Sequence, residues 1–102
     1  MIIMTIENIG KPYEVLGLVR GSMIQSKHIG KDMMAGFKTI VGGELKGYTE
    51  MMEQSRELAV KRMTDQAKML GADAVIGMRF TSNSVMQGAA EVTAYGTAVK
   101  FK

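Results

Sequence analysis

Residues 49–71 read TEMMEQSRELAVKRMTDQAKMLG, the clearest run of helical periodicity in the chain. At about 100° per residue, Met52, Ala59, Met63, Ala67 and Leu70 fall on one apolar stripe suited to packing on a sheet. Glu50, Glu53 and Glu57 stand early and Lys61, Arg62 and Lys68 late, the order the helix dipole favours. Thr49 suits an amino-terminal cap and Gly71 a left-handed stop, so a helix is expected from about Glu44 or Thr49 to Leu70. A second apolar line, Met51, Leu58 and Met69, lies roughly 100° around from the first. One sheet does not easily cover both.

Extended runs flank this helix. After Gly71, Ala74 to Thr81 and Ala90 to Phe101 suit a β-hairpin joined by the polar residues Ser82, Asn83, Ser84, Gln87 and Gly88. In the last strand Ala90, Val92, Ala94, Gly96 and Ala98 share one small apolar face on which a helix can rest; Glu91, Thr93, Tyr95, Thr97, Val99 and Phe101 share the other. Before the helix, a short apolar start from Ile2 to Ile6 meets turn residues Asn8 to Pro12, and Tyr13 to Ile24 reads as a strand. Met33, Met34, Phe37 and Ile40 are spaced for a short helix interrupted by Gly42 and Gly43. The order β-β-α-β-β gives an α+β fold: a small antiparallel sheet packed on one long helix.

With 102 residues, 46% hydrophobic and 23% charged, the chain has material for one core and one domain. Thirteen Lys and Arg against ten Asp and Glu leave a formal charge of +3, a mild surplus between Gly10 and Lys46. The three Phe and three Tyr are not interleaved with a basic run, so no nucleic-acid surface is expected. No apolar stretch is long enough to cross a bilayer, the start lacks a basic signal region, and the mixed charges of the long helix do not suit a membrane surface. Together with the absence of cysteine, this makes a cytoplasmic location the expectation.

The residues offer little catalytic chemistry. His28 is the only histidine, so no mixed Cys/His metal set can form within one subunit, although copies of His28 could meet around a ring axis. Eleven methionines suggest thioether ligation at Met33 and Met34 or Met51 and Met52, but adjacent helical residues point about 100° apart and Met fills core gaps well. Ser22, Ser26 and His28 cluster in sequence without the geometry that defines a triad. Gly42 and Gly43 lead into the helix without a phosphate-loop pattern; they read as a hinge, with Glu44 capping nearby amides. Arg79 and Tyr95 stand out as polar residues in apolar strands: a buried guanidinium needs a carboxylate or carbonyl, for which Glu44 or Glu91 could serve. Arg79, Tyr95, Tyr48 and Glu44 therefore make either an intersubunit hydrogen-bonded anchor, the favoured reading, or a pocket for an anion or small ligand at a subunit junction. No catalytic residue and no cofactor are assigned.

A two-layer unit leaves the second sheet face and the strand edges uncovered, and the Met51, Leu58 and Met69 line adds apolar surface. Self-association through that line or a strand edge hides it; the alternative is that the short helix of Met33 to Ile40 covers it within one chain.

Three stretches carry a resemblance: Gly42-Gly43-Glu44-Leu45 followed by Tyr48-Thr49; Leu70-Gly71-Ala72-Asp73-Ala74-Val75-Ile76-Gly77-Met78-Arg79-Phe80; and Tyr95-Gly96-Thr97-Ala98-Val99. In this order the chain resembles the YbjQ-like family, small uncharacterised bacterial proteins that carry a heavy-metal-binding label. The resemblance implies a dodecin-like β-α-β-β core that assembles as a ring-shaped homopentamer. The dodecin-like architecture makes an aromatic ligand conceivable, although no Trp is present to stack on it. The metal label would rest on His28 or methionine sulfurs, since the chain has no thiolate.

Overall fold

The computed structural model describes residues 1–26, 40–41, 44–86 and 89–102, with side chains over 1–25, 49–86 and 89–102. The elements are β1 (Ile2–Ile3), β2 (Tyr13–Ser26), β3 (Ile40–Val41), β4 (Glu44–Leu45), α1 (Lys46–Met69), β5 (Ala74–Met86) and β6 (Ala89–Phe101). Strands β2, β5 and β6 are rich in Val, Ile and Thr, which suit a pleated surface. They form one sheet in the order β1-β5-β6-β2, with β6 antiparallel to both neighbours, while β3 and β4 pair separately. The predicted short helix lies outside the described residues except for Ile40, which is in a strand.

The sheet is mixed rather than wholly antiparallel, because β1 runs parallel to β5 with Ile2 opposite Ala74 and Ile3 opposite Val75. A register shift between Ile76 and Arg79 interrupts the β5–β6 ladder, and there the N–H of Gly77 donates to the Ile6 carbonyl and that of Met78 to the Met4 carbonyl. The amino-terminal segment is thus tied along β5. A run as short as Ile2–Ile6 does not announce its partner or direction by periodicity alone.

Helix α1 begins at Lys46, earlier than a Thr49 cap would place it, so Thr49 lies inside the helix and the first turn carries no acidic residue. Its carboxyl end is as expected. Gly71 has φ +79°, its N–H donates to the Lys68 carbonyl, and the N–H of Ala72 donates to the Ala67 carbonyl, which together close the last turn. The buried stripe is Ser55, Ala59, Met63 and Ala67, with Met52 half-buried at its start. Leu70 is 47% exposed, because the closing turn carries it away from the sheet. Ser55 occupies an apolar stripe by donating its hydroxyl to the Met51 carbonyl one turn back, at 2.9 Å.

Against this stripe lie Val19 of β2, Val75 and Met78 of β5, and Val92, Ala94 and Ala98 of β6. The small face predicted for the last strand is therefore the face that receives the helix. A second cluster on the opposite side joins Ala74, Ile76 and Val99, with Ile9, Tyr13 and Phe101 packed against it.

Residues Ser82 to Ser84, expected in a loop, continue β5 as far as Met86. The ladder with β6 satisfies their backbone groups, and their polarity reflects exposure: every residue from Arg79 to Met86 is exposed.

Candidate functional site: the open sheet face

Helix α1 covers one face of the sheet. Residues directly opposite in a ladder project to the same side, so the register orders the other face into rows. Leu18, Thr97 and Ile76 form one; Arg20, Tyr95 and Arg79 the next; then Ser22, Thr93 and Thr81; then Ile24, Glu91 and Asn83. The two outer strands of this face are largely open: Leu18, Arg20, Ile24, Arg79, Thr81 and Asn83 are exposed, whereas the β6 residues between them are half-buried. Leu18 is 69% exposed and Val15 61%, large values for aliphatic side chains on a long strand.

Of the predicted site residues, the sheet brings Arg79 and Tyr95 together as direct cross-strand partners. Arg79 is not buried. It is exposed, and its Nη1 donates to the carbonyl oxygens of Thr5 and Met78, each at 2.8 Å, so carbonyls rather than Glu44 or Glu91 are its partners among the described bonds. This follows from β1: the parallel amino-terminal segment brings Thr5 within reach of the guanidinium. Glu91 lies two rows farther along β6, opposite Ile24 and Asn83. Glu44 and Tyr48 belong to β4 and the first turn of α1, and their side chains lie outside the described residues.

The other candidates are dispersed. Ser22 shares a 2.9 Å hydroxyl contact with Thr93 across the ladder, which gives it a structural partner. His28, Met33 and Met34 lie outside the described residues, as does the Ser26 side chain. Met51 and Leu58 are half-buried, whereas Met69 is 87% exposed.

Sequence reasoning missed Arg20, which joins the Arg79–Tyr95 row only through the β2–β6 register, and two helix residues that act on the strand edge. Gln66 Oε1 accepts from the Arg20 N–H at 2.7 Å, and Arg62 Nη1 donates to the Ser22 carbonyl at 2.6 Å. Helical spacing of four residues puts Arg62 and Gln66 on one side of the helix, but nothing in that spacing names a strand as their target. At the far end of the open face, Glu7, Tyr13, Val15, Ile76, Gly77 and Thr97 line an open cleft of about 310 Å³. The Tyr13 hydroxyl donates to the Glu7 carbonyl at 3.3 Å, and Lys11 Nζ stands 3.8 Å from the centroid of the Phe101 ring.

The three sequence stretches described above now have structural roles: β3–β4 leading into α1, the closing turn into β5, and the centre of β6. A family model described as "Putative heavy-metal-binding", YbjQ_1, matches residues 1–102. The chain belongs to the YbjQ family. A UPF0145 protein from Thermosipho africanus is 59% identical over 104 residues, covering 100% of this chain and 96% of that protein. A UPF0145 protein from Vibrio parahaemolyticus is 58% identical over 87 residues, covering 85% and 83% of the two chains. The fold is also similar to the crystal structure of a protein of unknown function in the DUF74 family from Pediococcus pentosaceus. The TM-score is 0.73, with 18% identity over 100% of this chain and 98% of that one.

The metal in the family's description can be tested against the donors of this YbjQ chain. It has no cysteine and one histidine, and among the described residues no group of three or more His, Cys, Asp or Glu stands close enough to hold an ion. Met63 and Met78 are buried in the apolar core, where their thioethers fill space. Among the described residues these donors form no heavy-metal site; His28, Met33 and Met34 lie outside them. Among the described residues no helix is long and apolar enough to cross a membrane.

Proposed function

We propose that this YbjQ chain is a self-assembling subunit of a ring of the dodecin-like kind, five copies in number as the family resemblance implies, acting in the cytoplasm. Uncovered sheet surface carries this reading. Val15, Leu18 and Ile24 are exposed along β2, and Phe80, Val85 and Met86 along β5, on strands that bound a single two-layer unit. The subunit is also extended: its radius of gyration is 16.5 Å, against about 13 Å for a compact chain of this length. A lone subunit would keep that apolar surface in water, at about 25 cal/mol per Å² of lost burial.

In such a ring the Arg20, Tyr95 and Arg79 row, with Glu44 and Tyr48 supplied across a junction, forms an anchor between copies or a seat for a small anionic ligand. Native mass spectrometry of freshly purified protein tests both parts. One multimeric mass supports assembly, and additional mass on it reports a retained ligand. A single-chain mass at micromolar concentration defeats the proposal.

A further inference from the structure

Strand β2 is guarded where the helix crosses it. Alternate residues of an antiparallel edge strand turn their N–H and C=O outward, and two such groups on β2 are already engaged: Arg20 N–H by Gln66, and the Ser22 carbonyl by Arg62. A strand arriving there would have to displace both side chains. Gln66 reaches Arg20 and Arg62 reaches Ser22, so α1 runs opposite to β2, and Leu58 and then Met51 lie successively farther toward and past Ile24. Beyond the guard, Ile24 is 58% exposed.

The other edge is unguarded. β6 occupies one side of β5; on the other side the amino-terminal segment reaches only as far as Met78, and among the described residues no strand pairs there beyond it. From Phe80 to Ala90 the sequence carries no charge and no proline, so beyond a register shift between Ser84 and Met86 nothing in it blunts the edge. Helix α1 sits over β2 and β6 and barely reaches β5, which leaves Phe80 exposed on the helix side. Every residue of Phe80–Met86 is exposed, and a specific interface buries at least ~1,000 Å² in total, so a patch that receives this segment has to extend over both β2 and α1.

We infer that a second copy of this chain docks its Phe80–Met86 segment against the Ile24 end of β2 and the Met51–Leu58 flank of α1. Arg62 and Gln66 fix where it sits by closing β2 at Arg20 and Ser22. The inference rests on the assembly reading above and specifies its contact. The offered and receiving surfaces differ, so the contact is head-to-tail, the kind that closes into rings.

The natural chain has no cysteine, so an engineered pair reports the contact directly. Within one subunit Ile24 and Asn83 lie on either side of Glu91. That sets Ile24 and Ser84 two strand spacings, roughly 10 Å, apart, beyond disulfide reach. Oxidised Ile24→Cys/Ser84→Cys protein is expected to run as a ladder up to the full ring on non-reducing gels, while each single variant gives dimers at most. Arg62→Ala/Gln66→Ala is expected to turn one native mass into a broad distribution while circular dichroism stays unchanged. A wild-type ring whose cysteine pair stays uncrosslinked, or whose mass is unmoved by removal of the guard, overturns this inference and leaves the assembly reading standing. A monomeric wild-type chain defeats both.

Discussion

Gly21 of β2 lies against the backbone of α1 at Ala59, so closely that a β-carbon at position 21 would collide with the Ala59 carbonyl oxygen and the Met63 amide nitrogen. This contact seats the helix on the sheet and brings Arg62 and Gln66 within reach of the β2 edge. Backbone cannot yield as a flexible side chain can. Gly21→Val is therefore expected to cost about 3 kcal/mol, at the upper end of core overpacking, read as a lower urea midpoint. A midpoint within error of wild type would show that the helix has room to lift.

Met63 is fully buried beneath the same helix, among Val19, Ala59, Ala67 and Ala94. Truncation leaves a cavity among small, fixed neighbours, so Met63→Ala is expected to lose about 2 to 5 kcal/mol in urea unfolding. Met63→Leu, close in volume, is expected to lose less than about 1.5 kcal/mol. Equal losses for the two variants would mean that the thioether matters for something other than space.

Asp73 ties the closing turn of α1 to the end of β6: its N–H donates to the Val99 carbonyl at 2.9 Å, and its Oδ2 accepts from the Phe101 N–H at 2.8 Å. Asp73→Ala removes only the second bond. A loss of about 1 kcal/mol is expected, together with faster hydrogen exchange at the Phe101 amide. Unchanged exchange at Phe101 would place that amide's protection elsewhere.

The sequence made plain whatever depends on local periodicity. The Ala59, Met63 and Ala67 stripe, the stop at Gly71 and the small helix-facing side of β6 all follow from spacing, and all stand where expected. Relations between distant segments were not legible. Arg20 meets Tyr95 through a register set by a bulge at Val15–Gly17, and Arg79 meets Thr5 because a short strand runs parallel to β5. Neither a bulge nor a short parallel pairing leaves a repeating pattern to read. Polarity misled at Ser82–Ser84, where hydrophilic side chains mark an exposed strand rather than a loop.

The apolar line around from the buried stripe separates folding from assembly. Leu58 is half-buried and Met69 is 87% exposed, so neither anchors the subunit core. Met69→Lys is expected to change subunit stability by less than about 0.5 kcal/mol, as surface substitutions do, and Leu58→Glu by about 1 to 2 kcal/mol, since part of its burial is lost. Leu58→Glu introduces a charge that a dry contact between copies cannot solvate, and it is expected to shift the protein to monomer in native mass spectrometry and light scattering, with circular dichroism unchanged. Met69 lies past Gln66, on the far side of the guard from Ile24, so Met69→Lys is expected to keep the wild-type mass. A monomeric Met69→Lys would extend the contact past the guard, and a Leu58→Glu variant that keeps the wild-type mass would remove Leu58 from it. Loss of folding by Leu58→Glu would show instead that the flank of α1 is covered within one chain.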